Sequence, residues 1–413
     1  MKLRHAATLF AALLLGLNGL SGVRASGQTA GEGQADGSSA VAPTAIEEDA
    51  AQMAKSLGID PDLAIKYIEQ QPNVWDLEGI LHADVASFAG MYIDYRPTYR
   101  IVVLTTGPEA EMLTSARAAA SDAIAGSVVV RWVDYREQTL RDTIRMIAAA
   151  APGASFGADA SIETGVVSLR AETPRDATQL RSVLPSLDLP TELEAIDVTI
   201  AAHGFAITDE VRDDSDDVCG GEYLHDNDGN PHCTAGFTVN DGQGHEGTAT
   251  AAHCDNMLKH EGVALDFQGG SNGYEHDIQW HLTPDLADLP KARDGDSTPR
   301  DITAALSRAH QTVNTWVCKY GDTTGYTCGE LRSKIYQPPQ ECTKTNSPTA
   351  TYMRVRNPDG ENLSEGGDSG GPWYAGNSAF GFHKGSPCDW SSDQAYYMAQ
   401  DLVSVLGVSI SLA

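Results

Sequence analysis

The spacing of apolar residues changes part-way along the chain and predicts two regions of different fold class. Between residues 46 and 205, apolar residues recur at helical spacing in some segments and alternate with polar residues in others. The predicted helices are 47–71, 109–123 and 140–150, and the predicted strands are a hairpin over 88–106 and single strands at 128–133, 165–169 and 196–200. Within the first segment, Asp60 as a cap and Pro61 in a first turn predict the start of a second helix. This region is therefore predicted to be α+β.

From Gly221 onward the apolar segments are short, and Gly, Asn and Asp interrupt them about every ten residues. This pattern is typical of all-β barrels and sandwiches. Only the tail, residues 396–408, has helical spacing. We therefore predict an all-β domain over residues 221–413.

The N terminus has the composition of a secretory signal peptide. Lys2, Arg4 and His5 give a charged start, Ala6 to Leu17 is apolar, and Val23-Arg24-Ala25 has small residues at the offsets of a cleavage site. The apolar run is short for a membrane span, and a buried N-terminal helix is the alternative. We predict a signal peptide over residues 1–25 and a secreted protein.

Two further segments are predicted to be linkers. Residues 26–45 are rich in Gly, Ser and Ala, a composition typical of disorder. Residues 206–220 contain the acidic run Asp213-Asp214-Ser215-Asp216-Asp217, which predicts an exposed segment open to proteolysis. We expect maturation cleavage in this second linker, which separates the N-terminal region, residues 46–205, from the β domain.

Charge and cysteine content narrow the class of partner. The chain of 413 residues carries a formal net charge of −29, and nucleic acids and anionic membranes both reward basic patches, so both are disfavoured. Seven cysteines suit an oxidising compartment if the chain is secreted. Asp226, Asp228 and Asn230 alternate like calcium ligands, but Gly229 falls too early for an EF-hand loop, so a plain turn is favoured. We expect no metal and no cofactor.

Candidate chemistry is concentrated at Gly366-Gly367-Asp368-Ser369-Gly370-Gly371-Pro372. Glycine permits a tight turn in which the N–H groups of Gly367 and Ser369 converge on an oxyanion beside the Ser369 hydroxyl. A serine nucleophile needs a base, usually His, oriented by a carboxylate. Upstream, His253 ends a small apolar run and Asp277 begins a strand-like run; Asp266 and Glu275 are rival acids.

The same glycine-rich segment also fits the G-x-S-x-G turn of α/β hydrolases. That fold requires a histidine after the serine. Only His383 follows Ser369, at a short distance, and no βα repeats surround it. The lipase or esterase interpretation is therefore disfavoured.

At these motifs the chain resembles the chymotrypsin-type serine peptidases, most closely the secreted bacterial streptogrisin and α-lytic protease group. The matching residues are 251–254, 276–277 and 367–371, with further matches at 233–237 and 317–329. The resemblance implies a trypsin-like domain of two packed six-stranded antiparallel barrels, with His253 and Asp277 from the first barrel and Ser369 from the second meeting in the cleft. It also implies that His253 is the general base, Asp277 its orienting acid and Ser369 the nucleophile.

The resemblance extends to the N-terminal region. Phe88-Ala89-Gly90-Met91-Tyr92-Ile93-Asp94 resembles the pro-region of this group, which assists folding of the catalytic domain and blocks its cleft until removed. A β protein of high contact order folds slowly, so such a template is physically reasonable. An unrelated accessory domain is the alternative.

The cysteines and Asp368 also have counterparts in the group. Cys233–Cys254 and Cys318–Cys328 match its bridges; we add Cys342–Cys388 as a guess, which leaves Cys219 over. The group often has a cysteine just before the nucleophile loop, where this chain has Leu363 or Ser364. Asp368 is expected to pair with a new N terminus or another cation, although the sequence identifies no such partner.

Residues 379–386 are expected to form a wall of the substrate pocket, with Phe382, His383, Lys384 and Ser386 as substrate-binding candidates. In glutamate-specific members of the group, a histidine at the position of His383 grips the substrate carboxylate. Lys384 stands where the group usually has serine, so Asp277 lacks one expected neighbour. An imidazole, a hydroxyl and an ammonium can all donate to a carboxylate. We hypothesise a preference for Glu or Asp at P1; the alternative is an apolar P1 pocket lined by Phe382.

The sequence thus predicts a secreted, monomeric serine endopeptidase made as an inactive precursor. It is expected to hydrolyse proteins and peptides through an acyl-enzyme, with its own pro-region as inhibitor. The alternative from another functional class is a non-catalytic relative that binds proteins with the same fold. The intact set of Ser369, His253, Asp277 and Gly367 argues against that alternative.

Overall fold

Helices dominate the first part of the chain and strands the second. The computed structural model describes residues 44–189, 197–198, 217–226, 231–273, 275–295, 298–339, 349–387 and 393–413, which belong to one compact unit, Pro43–Ala413. The predicted signal peptide 1–25, the predicted linker 26–45 except its last two residues, and residues 206–216 of the acidic linker lie outside the described residues.

In the described residues of the N-terminal region there are five α-helices and six strands. The helices are α1 (Ala45–Leu57), α2 (Pro61–Asp84), α3 (Glu109–Ala119), α4 (Glu137–Ala150) and α5 (Pro174–Val183). The strands are β1 (Phe88–Asp94), β2 (Arg100–Thr105), β3 (Val128–Trp132), β4 (Phe156–Ala160), β5 (Val167–Ala171) and β6 (Asp197–Val198). Short 3-10 helices span Ala125–Ser127 and Leu184–Ser186.

The C-terminal region is built of strands. They are β7 (Asp217–Gly220), β8 (Tyr223–His225), β9 (Pro231–Thr234), β10 (Thr238–Asn240), β11 (Glu246–Thr250), β12 (Lys259–His260), β13 (Val263–Ala264), β14 (Asp266–Gly273), β15 (His276–Leu282), β16 (Ala287–Ala292), β17 (Arg300–Asp301), β18 (Ala304–Ala305), β19 (Trp316–Gly321), β20 (Gly325–Gln337), β21 (Tyr352–Arg356), β22 (Pro372–Ala375), β23 (Ser378–Gly385), β24 (Gln394–Ala399) and β25 (Ser409–Ile410). Two 3-10 helices span Arg308–His310 and Gln400–Leu406.

The break between the first two helices is confirmed. The Thr44 hydroxyl accepts from the N–H of Glu47, and the Glu47 carboxylate accepts from the N–H of Thr44, so the two residues cap α1 reciprocally. α1 ends at Gly58, whose φ of 62° is left-handed. The Asp60 side chain then caps α2, with Pro61 in its first turn.

α2 is longer than predicted, because burial outweighs a local helix breaker. The helix continues to Asp84 although Pro72 lies inside it. Beyond Pro72 it buries a regular series of apolar side chains: Val74, Trp75, Leu77 and Leu81. Tertiary packing of this face therefore decides the length of the helix.

The N-terminal region is α+β, as predicted, and it pairs directly with the C-terminal region. β1 and β2 form the predicted hairpin, and β3 lies parallel to β2. β4 and α5 were not predicted. β4 pairs with β5 on one edge and with β20 on the other, where Asp159 lies opposite Tyr336 and Ala158 opposite Gln337. A strand of the N-terminal region therefore extends a sheet of the C-terminal region.

Six antiparallel strands close into a barrel in the second half of the C-terminal region. Their order is β19, β22, β23, β24, β21 and β20, and β20 pairs back onto β19. The buried cluster of this barrel includes Val317, Leu331, Val355, Trp373, Phe380 and Tyr397. The fold class predicted for this region, an all-β domain preceded by an α+β region, is confirmed.

The first half of the C-terminal region distributes its strands over three smaller sheets. Their orders are β14-β15-β11-β10-β25, β13-β12-β8-β9 and β17-β16-β7. The ring of six strands predicted for each half is therefore continuous in the second half and divided in the first. β11 and β15 are neighbours in the largest sheet, so their C-terminal and N-terminal ends, respectively, meet at one edge.

The predicted helix at 396–408 is wrong for its first four residues. Tyr396, Tyr397, Met398 and Ala399 belong to β24, and all four side chains are buried. A strand that is covered on both faces shows no alternation of apolar and polar residues, so its sequence is easily mistaken for a buried helix. The chain then continues as the 3-10 helix Gln400–Leu406.

The N-terminal region packs apolar and charged side chains on the barrel. The Trp75 ring lies 5.2 Å from that of Phe380, and its Nε1 donates to the Thr315 hydroxyl at 3.2 Å. Asp49 on α1 is buried, and it accepts hydrogen bonds from Arg300 at 2.9 and 3.1 Å. The two regions therefore share hydrophobic core and a buried ion pair. In the part of the chain that the structure describes, no helix is both long and apolar enough to cross a membrane.

Candidate active site

Three side chains that the sequence places far apart meet between the two halves of the C-terminal region. His253 Nε2 lies 2.8 Å from Ser369 Oγ, and His253 Nδ1 lies 2.6 Å from Asp277 Oδ2. The other oxygen of Asp277 accepts from the backbone N–H of His253 at 2.9 Å. Because a carboxylate only accepts, Nδ1 carries the imidazole proton and Nε2 is free to accept from the serine.

The two neighbouring strands β11 and β15 position the histidine and the acid. Thr250, the last residue of β11, lies opposite Gln279, so the loop that follows β11 reaches the start of β15, where Asp277 lies. The disulfide Cys233–Cys254 fixes that loop next to His253. The predicted base and acid are therefore held by a sheet edge and a covalent bridge.

The rival acids point elsewhere. Asp266 is exposed at the start of β14, and Glu275 forms an ion pair with Arg145 of the N-terminal region at 3.2 Å. The Asp277 side chain, by contrast, has no exposed surface. Burial opposes ionisation of Asp277, but the neighbouring His253 and Lys384 outweigh it and hold its pKa well below the usual range.

The nucleophile loop has the backbone angles that only glycine adopts easily. Gly367 has φ of 107° and Gly370 has φ of 91°. A Cβ on Gly367 would collide with the Thr323 hydroxyl, and one on Gly370 with the Thr250 hydroxyl. Within the described part of the chain, the N–H groups of Gly367 and Ser369 donate to no residue. The role of these two N–H groups as oxyanion donors stays a prediction.

Asp368 has a cationic partner that the sequence did not identify. Lys319 on β19 donates to Asp368 at 2.9 Å, and neither side chain is exposed. Asp368 also accepts from the Thr324 hydroxyl at 2.7 Å and from the N–H groups of Thr323, Thr324 and Glu365 at 3.0, 3.0 and 3.1 Å. Burial opposes ionisation, but Lys319 outweighs it and lowers the pKa of Asp368 to about 2. Asp368 therefore ties the nucleophile loop to the β19–β20 turn.

Lys384 is not where the sequence predicted it, in the wall of a substrate pocket. Its ammonium forms an ion pair with Asp277 Oδ2 and lies 3.1 Å from His253 Nδ1. Its side chain is 3% exposed. Lys384 and His383 are successive residues of β23, at a register shift between His383 and Gly385. The neighbour that Asp277 was expected to lack is thus Lys384 itself.

The other predicted pocket residues are largely buried. Phe382 packs edge-on against Phe237, with ring centroids 5.5 Å apart, and belongs to the hydrophobic core rather than to an open wall. His383 is 1% exposed. Ser386 is half-buried. Of these residues, Phe382 therefore differs most clearly from the predicted role of lining an apolar pocket.

His383 has a partner on each ring nitrogen. Trp373 donates its indole N–H to Nδ1 at 3.1 Å, and Nε2 lies 2.8 Å from the Ser364 hydroxyl. Since indole is only a donor, Nδ1 accepts and the imidazole proton is on Nε2. Burial, with a smaller contribution from Lys319, lowers the pKa of His383 to about 3. His383 is therefore a neutral donor aimed at Ser364, five positions before the nucleophile in the same loop.

Two known proteins with sequences similar to this chain are bacterial serine peptidases, in agreement with a serine, a histidine and an aspartate meeting at the site. Streptogrisin-C of Streptomyces griseus is 31% identical over 194 residues, which cover 44% of this chain and 38% of that protein. Serine protease 1 of Streptomyces fradiae is 26% identical over 337 residues, which cover 78% of this chain and 82% of that protein. The chain is thus similar to two bacterial serine peptidases.

Family models and solved structures provide two further comparisons. No family model matches the chain. Among solved structures, protease A of Thermobifida fusca is 24% identical, with a TM-score of 0.38, over 47% of this chain and 98% of that protein. The chain spans less than half of streptogrisin-C and most of serine protease 1.

The chain contains both disulfides that the resemblance implies. Cys233–Cys254 lies beside His253, and Cys318–Cys328 joins the paired strands β19 and β20. Cys219 is buried, with its sulfur 3.3 Å from a Glu222 carboxylate oxygen. Cys342 and Cys388 lie outside the described residues, so their pairing stays a prediction.

No group of three or more His, Cys, Asp or Glu side chains suited to a metal ion occurs among the residues that the structure describes. Asp228 and Asn230 of the calcium-like pattern lie outside those residues. Asp226 directly follows β8, and the plain turn that the sequence favours stays a prediction.

Proposed function

We propose that this chain is a serine endopeptidase that hydrolyses protein and peptide substrates through an acyl-enzyme. The observation that carries the proposal is the continuous hydrogen-bonded line from Asp277 through His253 to Ser369, with distances of 2.6 and 2.8 Å. Sequence similarity to streptogrisin-C and serine protease 1 supports the same reaction class.

In the first half of the reaction, Ser369 is the nucleophile and His253 the general base. Ser369 Oγ bonds to the scissile carbonyl carbon while its proton passes to His253 Nε2. The carbonyl oxygen becomes an oxyanion, which the N–H groups of Gly367 and Ser369 stabilise. His253 then gives the proton to the departing amine, the C–N bond breaks and an ester to Ser369 remains.

In the second half, water replaces the amine. Its oxygen bonds to the ester carbon, its proton passes to His253 Nε2, and the bond to Ser369 Oγ breaks as His253 returns a proton to that oxygen. Asp277 stays ionised throughout, since its pKa is held far below the working pH. Its two hydrogen bonds to His253 keep the ring in the tautomer that both steps require.

The N-terminal region is proposed to act as a pro-region that templates and restrains the catalytic domain. Three contacts support this role: pairing of β4 with β20, insertion of Trp75 beside Phe380, and the buried pair of Asp49 and Arg300. These contacts involve β20 and β23 of the barrel and β17 of a smaller sheet. We further propose secretion, from the N-terminal signal-like sequence, and maturation within residues 206–220.

For P1 preference, the neutral pair of His383 and Ser364 supports recognition of a carboxylate by hydrogen bonding. His383 Nε2–H donates to Ser364 Oγ, which leaves the hydroxyl proton of Ser364 available to a substrate side chain. Lys384 is committed to Asp277, so the preference for Glu over Asp or apolar side chains rests on uncharged donors. An apolar P1 pocket is the alternative, although Phe382 is packed in the core.

Peptides that differ only at P1, carrying Glu, Gln or Leu, test this preference. We expect Glu to be favoured, and Ser364→Ala to lower kcat/KM for Glu by about tenfold to a hundredfold, the value of a hydrogen bond to a charged group. Leu turnover should change little in the same variant. Equal turnover of Glu and Leu peptides by the parent protein would end the acidic hypothesis.

The proposed reaction itself is tested by comparing casein hydrolysis by the parent protein and by Ser369→Ala and His253→Ala. Both variants should lose activity by several orders of magnitude, and Ser369→Ala should accumulate as an uncleaved chain if maturation is autocatalytic. Undiminished hydrolysis by Ser369→Ala would refute the role of Ser369 as the nucleophile. No hydrolysis by any correctly folded form would favour the non-catalytic binding protein instead.

A further inference from the structure

The carboxylate that orients His253 has a second cationic neighbour. Lys384 pairs with Asp277 Oδ2, the same oxygen that accepts from His253 Nδ1, and the Lys384 nitrogen is 3.1 Å from that Nδ1. The Lys384 side chain is 3% exposed and that of Asp277 is fully buried. Bulk water therefore screens neither charge effectively.

This neighbour changes the charge that His253 experiences. In an arrangement with Asp277 alone, protonation of His253 takes the pair from a net charge of −1 to 0. With Lys384 present, the same step takes the group from 0 to +1 and brings an imidazolium next to an ammonium. Like charges at this separation oppose protonation, while the carboxylate favours it. The lysine thus offsets the effect of the carboxylate on the base.

The other titratable groups near His253 and Asp277 do not supply a competing charge of this kind. His383, the neighbour of Lys384 on β23, is neutral near pH 7, because its pKa is lowered to about 3. Tyr352 on β21 and Tyr396 on β24 interact with Asp277, and burial raises the pKa of both phenols above the usual range. On β15 itself, Glu275 is paired with Arg145, and His276 lies 3.4 Å from the Ser271 hydroxyl. On the nucleophile loop, Asp368 is paired with Lys319.

We propose that Lys384 is a positioning residue that neutralises Asp277 and weakens His253 as a base, so that the peptidase keeps its catalytic histidine unprotonated at more acidic pH. The inference deepens the proposed function and rests on it. The ammonium touches neither Ser369 nor a substrate; it acts through the carboxylate and the imidazole. The protein has a net charge of −29, and a strongly negative protein favours protonated histidine at low ionic strength. The positive charge of Lys384 opposes this general effect at His253.

The base strength of His253 can be measured without catalysis. In the full chain carrying Ser369→Ala, the ring signals of His253 are followed by NMR as a function of pH, and a His253→Gln spectrum assigns them among the twelve histidines. Adding Lys384→Met is expected to raise the pH of half-protonation of His253 by about one unit or more. Lys384→Arg is the matched control, since it retains the charge, and it should leave the midpoint close to that of the parent.

A second neutral variant, Lys384→Ser, controls for effects that are specific to the methionine side chain. If both neutral variants titrate His253 at the same pH as the parent, or at a lower pH, the inference is overturned. If Lys384→Met fails to fold, the shift in Lys384→Ser alone decides the outcome. A lysine with only a structural role would change the melting temperature and leave the midpoint unmoved.

The corresponding kinetic experiment uses the protein with Ser369 intact. The acid limb of kcat/KM against pH should move upward by a similar interval in Lys384→Met and return in Lys384→Arg. Failure of the inference differs visibly from failure of the proposed function. In the first case the parent still hydrolyses peptides and the limb does not move; in the second, Ser369 does no chemistry at any pH, while the NMR titration can still be read.

Discussion

Replacing Lys319 by methionine removes the cation that neutralises Asp368 and leaves a carboxylate buried without its charge partner. Lys319 and Asp368 are both fully buried, with 2.9 Å between their charged atoms. Breaking a buried pair by removing one partner generally costs about 3–5 kcal/mol. Asp368 keeps the Thr324 hydroxyl and three backbone N–H donors, so we expect the lower end of that range, about 3 kcal/mol.

Urea unfolding at pH 7, in a Ser369→Ala background that excludes self-cleavage, measures this cost. With a slope of about 3 kcal/mol per molar, the midpoint should fall by about 1 M in Lys319→Met. Lys291→Met is the matched control, because Lys291 forms the same kind of pair with Asp301 at the surface, where the two side chains are 33% and 53% exposed. The control should lose at most about 1 kcal/mol.

The double variant Lys319→Met with Asp368→Asn separates loss of the charge pair from loss of packing. It should be more stable than the sum of the two single variants predicts, since neither charge is then left alone. Kinetically, Lys319→Met should lower kcat by about a hundredfold or more, because Asp368 holds the loop that carries the oxyanion donors. The reasoning is refuted if Lys319→Met costs no more than Lys291→Met.

Protonation of Asp368 should also limit the stability of the folded protein at acidic pH. Its pKa is about 2 in the folded protein and near 3.8 when it is free. A depressed carboxyl pKa contributes stability that is fully present above the unfolded value and is lost as pH falls towards the folded one. Stability should therefore fall between about pH 4 and pH 2, and Asp368→Asn should remove part of that dependence. An unchanged acid-unfolding curve in Asp368→Asn would contradict this assignment.

Three other contacts give separate predictions. Asp49→Asn should weaken the contact between the N-terminal region and Arg300. After backbone cleavage, the two parts of this variant should separate on a size-exclusion column at a lower salt concentration than in the parent. Co-elution at the same salt concentrations as the parent would contradict a stabilising role of this contact. Replacing Cys233 and Cys254 by serine should reduce the free energy of unfolding by about 3 kcal/mol, given the 21-residue separation of the two cysteines. It should also make the loop that carries His253 more mobile, so both the melting temperature and kcat should fall. Unaltered kcat and melting temperature would exclude this role of the disulfide. Because His383 stays neutral above about pH 3, the ratio of kcat/KM for Glu and Gln peptides should be constant from pH 6 to pH 8, and a ratio that follows a single titration in this interval would place a charged imidazole in the pocket.

The three residues of the proposed triad could be predicted from the sequence because each lies in a local motif. Ser369 is framed by glycines that a tight turn requires, and His253 and Asp277 stand at the ends of apolar segments. Their meeting depends on one pairing, β11 with β15, and on closure of the second barrel. Local pattern and order along the chain identified candidates, and the resemblance of these motifs to the chymotrypsin-type peptidases assigned their roles.

The two lysines that neutralise the site could not be predicted in the same way. Lys319 reaches Asp368 because β19 pairs with β22, a contact between segments about fifty residues apart in the sequence. Lys384 lies on β23 in the second half of the C-terminal region, whereas its partner Asp277 lies on β15 in the first half. In both cases the available signal was a lysine inside an otherwise apolar strand, since an ammonium is buried only where a counter-charge receives it. The sequence contains that signal but does not identify the acidic residue with which each lysine pairs.

Strand β4 shows a second limit of local patterns. Its sequence, Phe156-Gly157-Ala158-Asp159-Ala160, has little intrinsic preference for a strand. It forms one because β5 lies on one edge and β20 on the other. Contacts between regions, rather than the spacing of apolar residues, determine such an element.

The most direct test of the account is the site of labelling by a sulfonyl fluoride, read by peptide mass spectrometry on the folded protein. The account predicts a single stoichiometric adduct on Ser369, and strongly slowed labelling in His253→Ala, because the hydroxyl needs the imidazole to attack. An adduct on another residue, or none on a folded protein that still hydrolyses peptides, would contradict it.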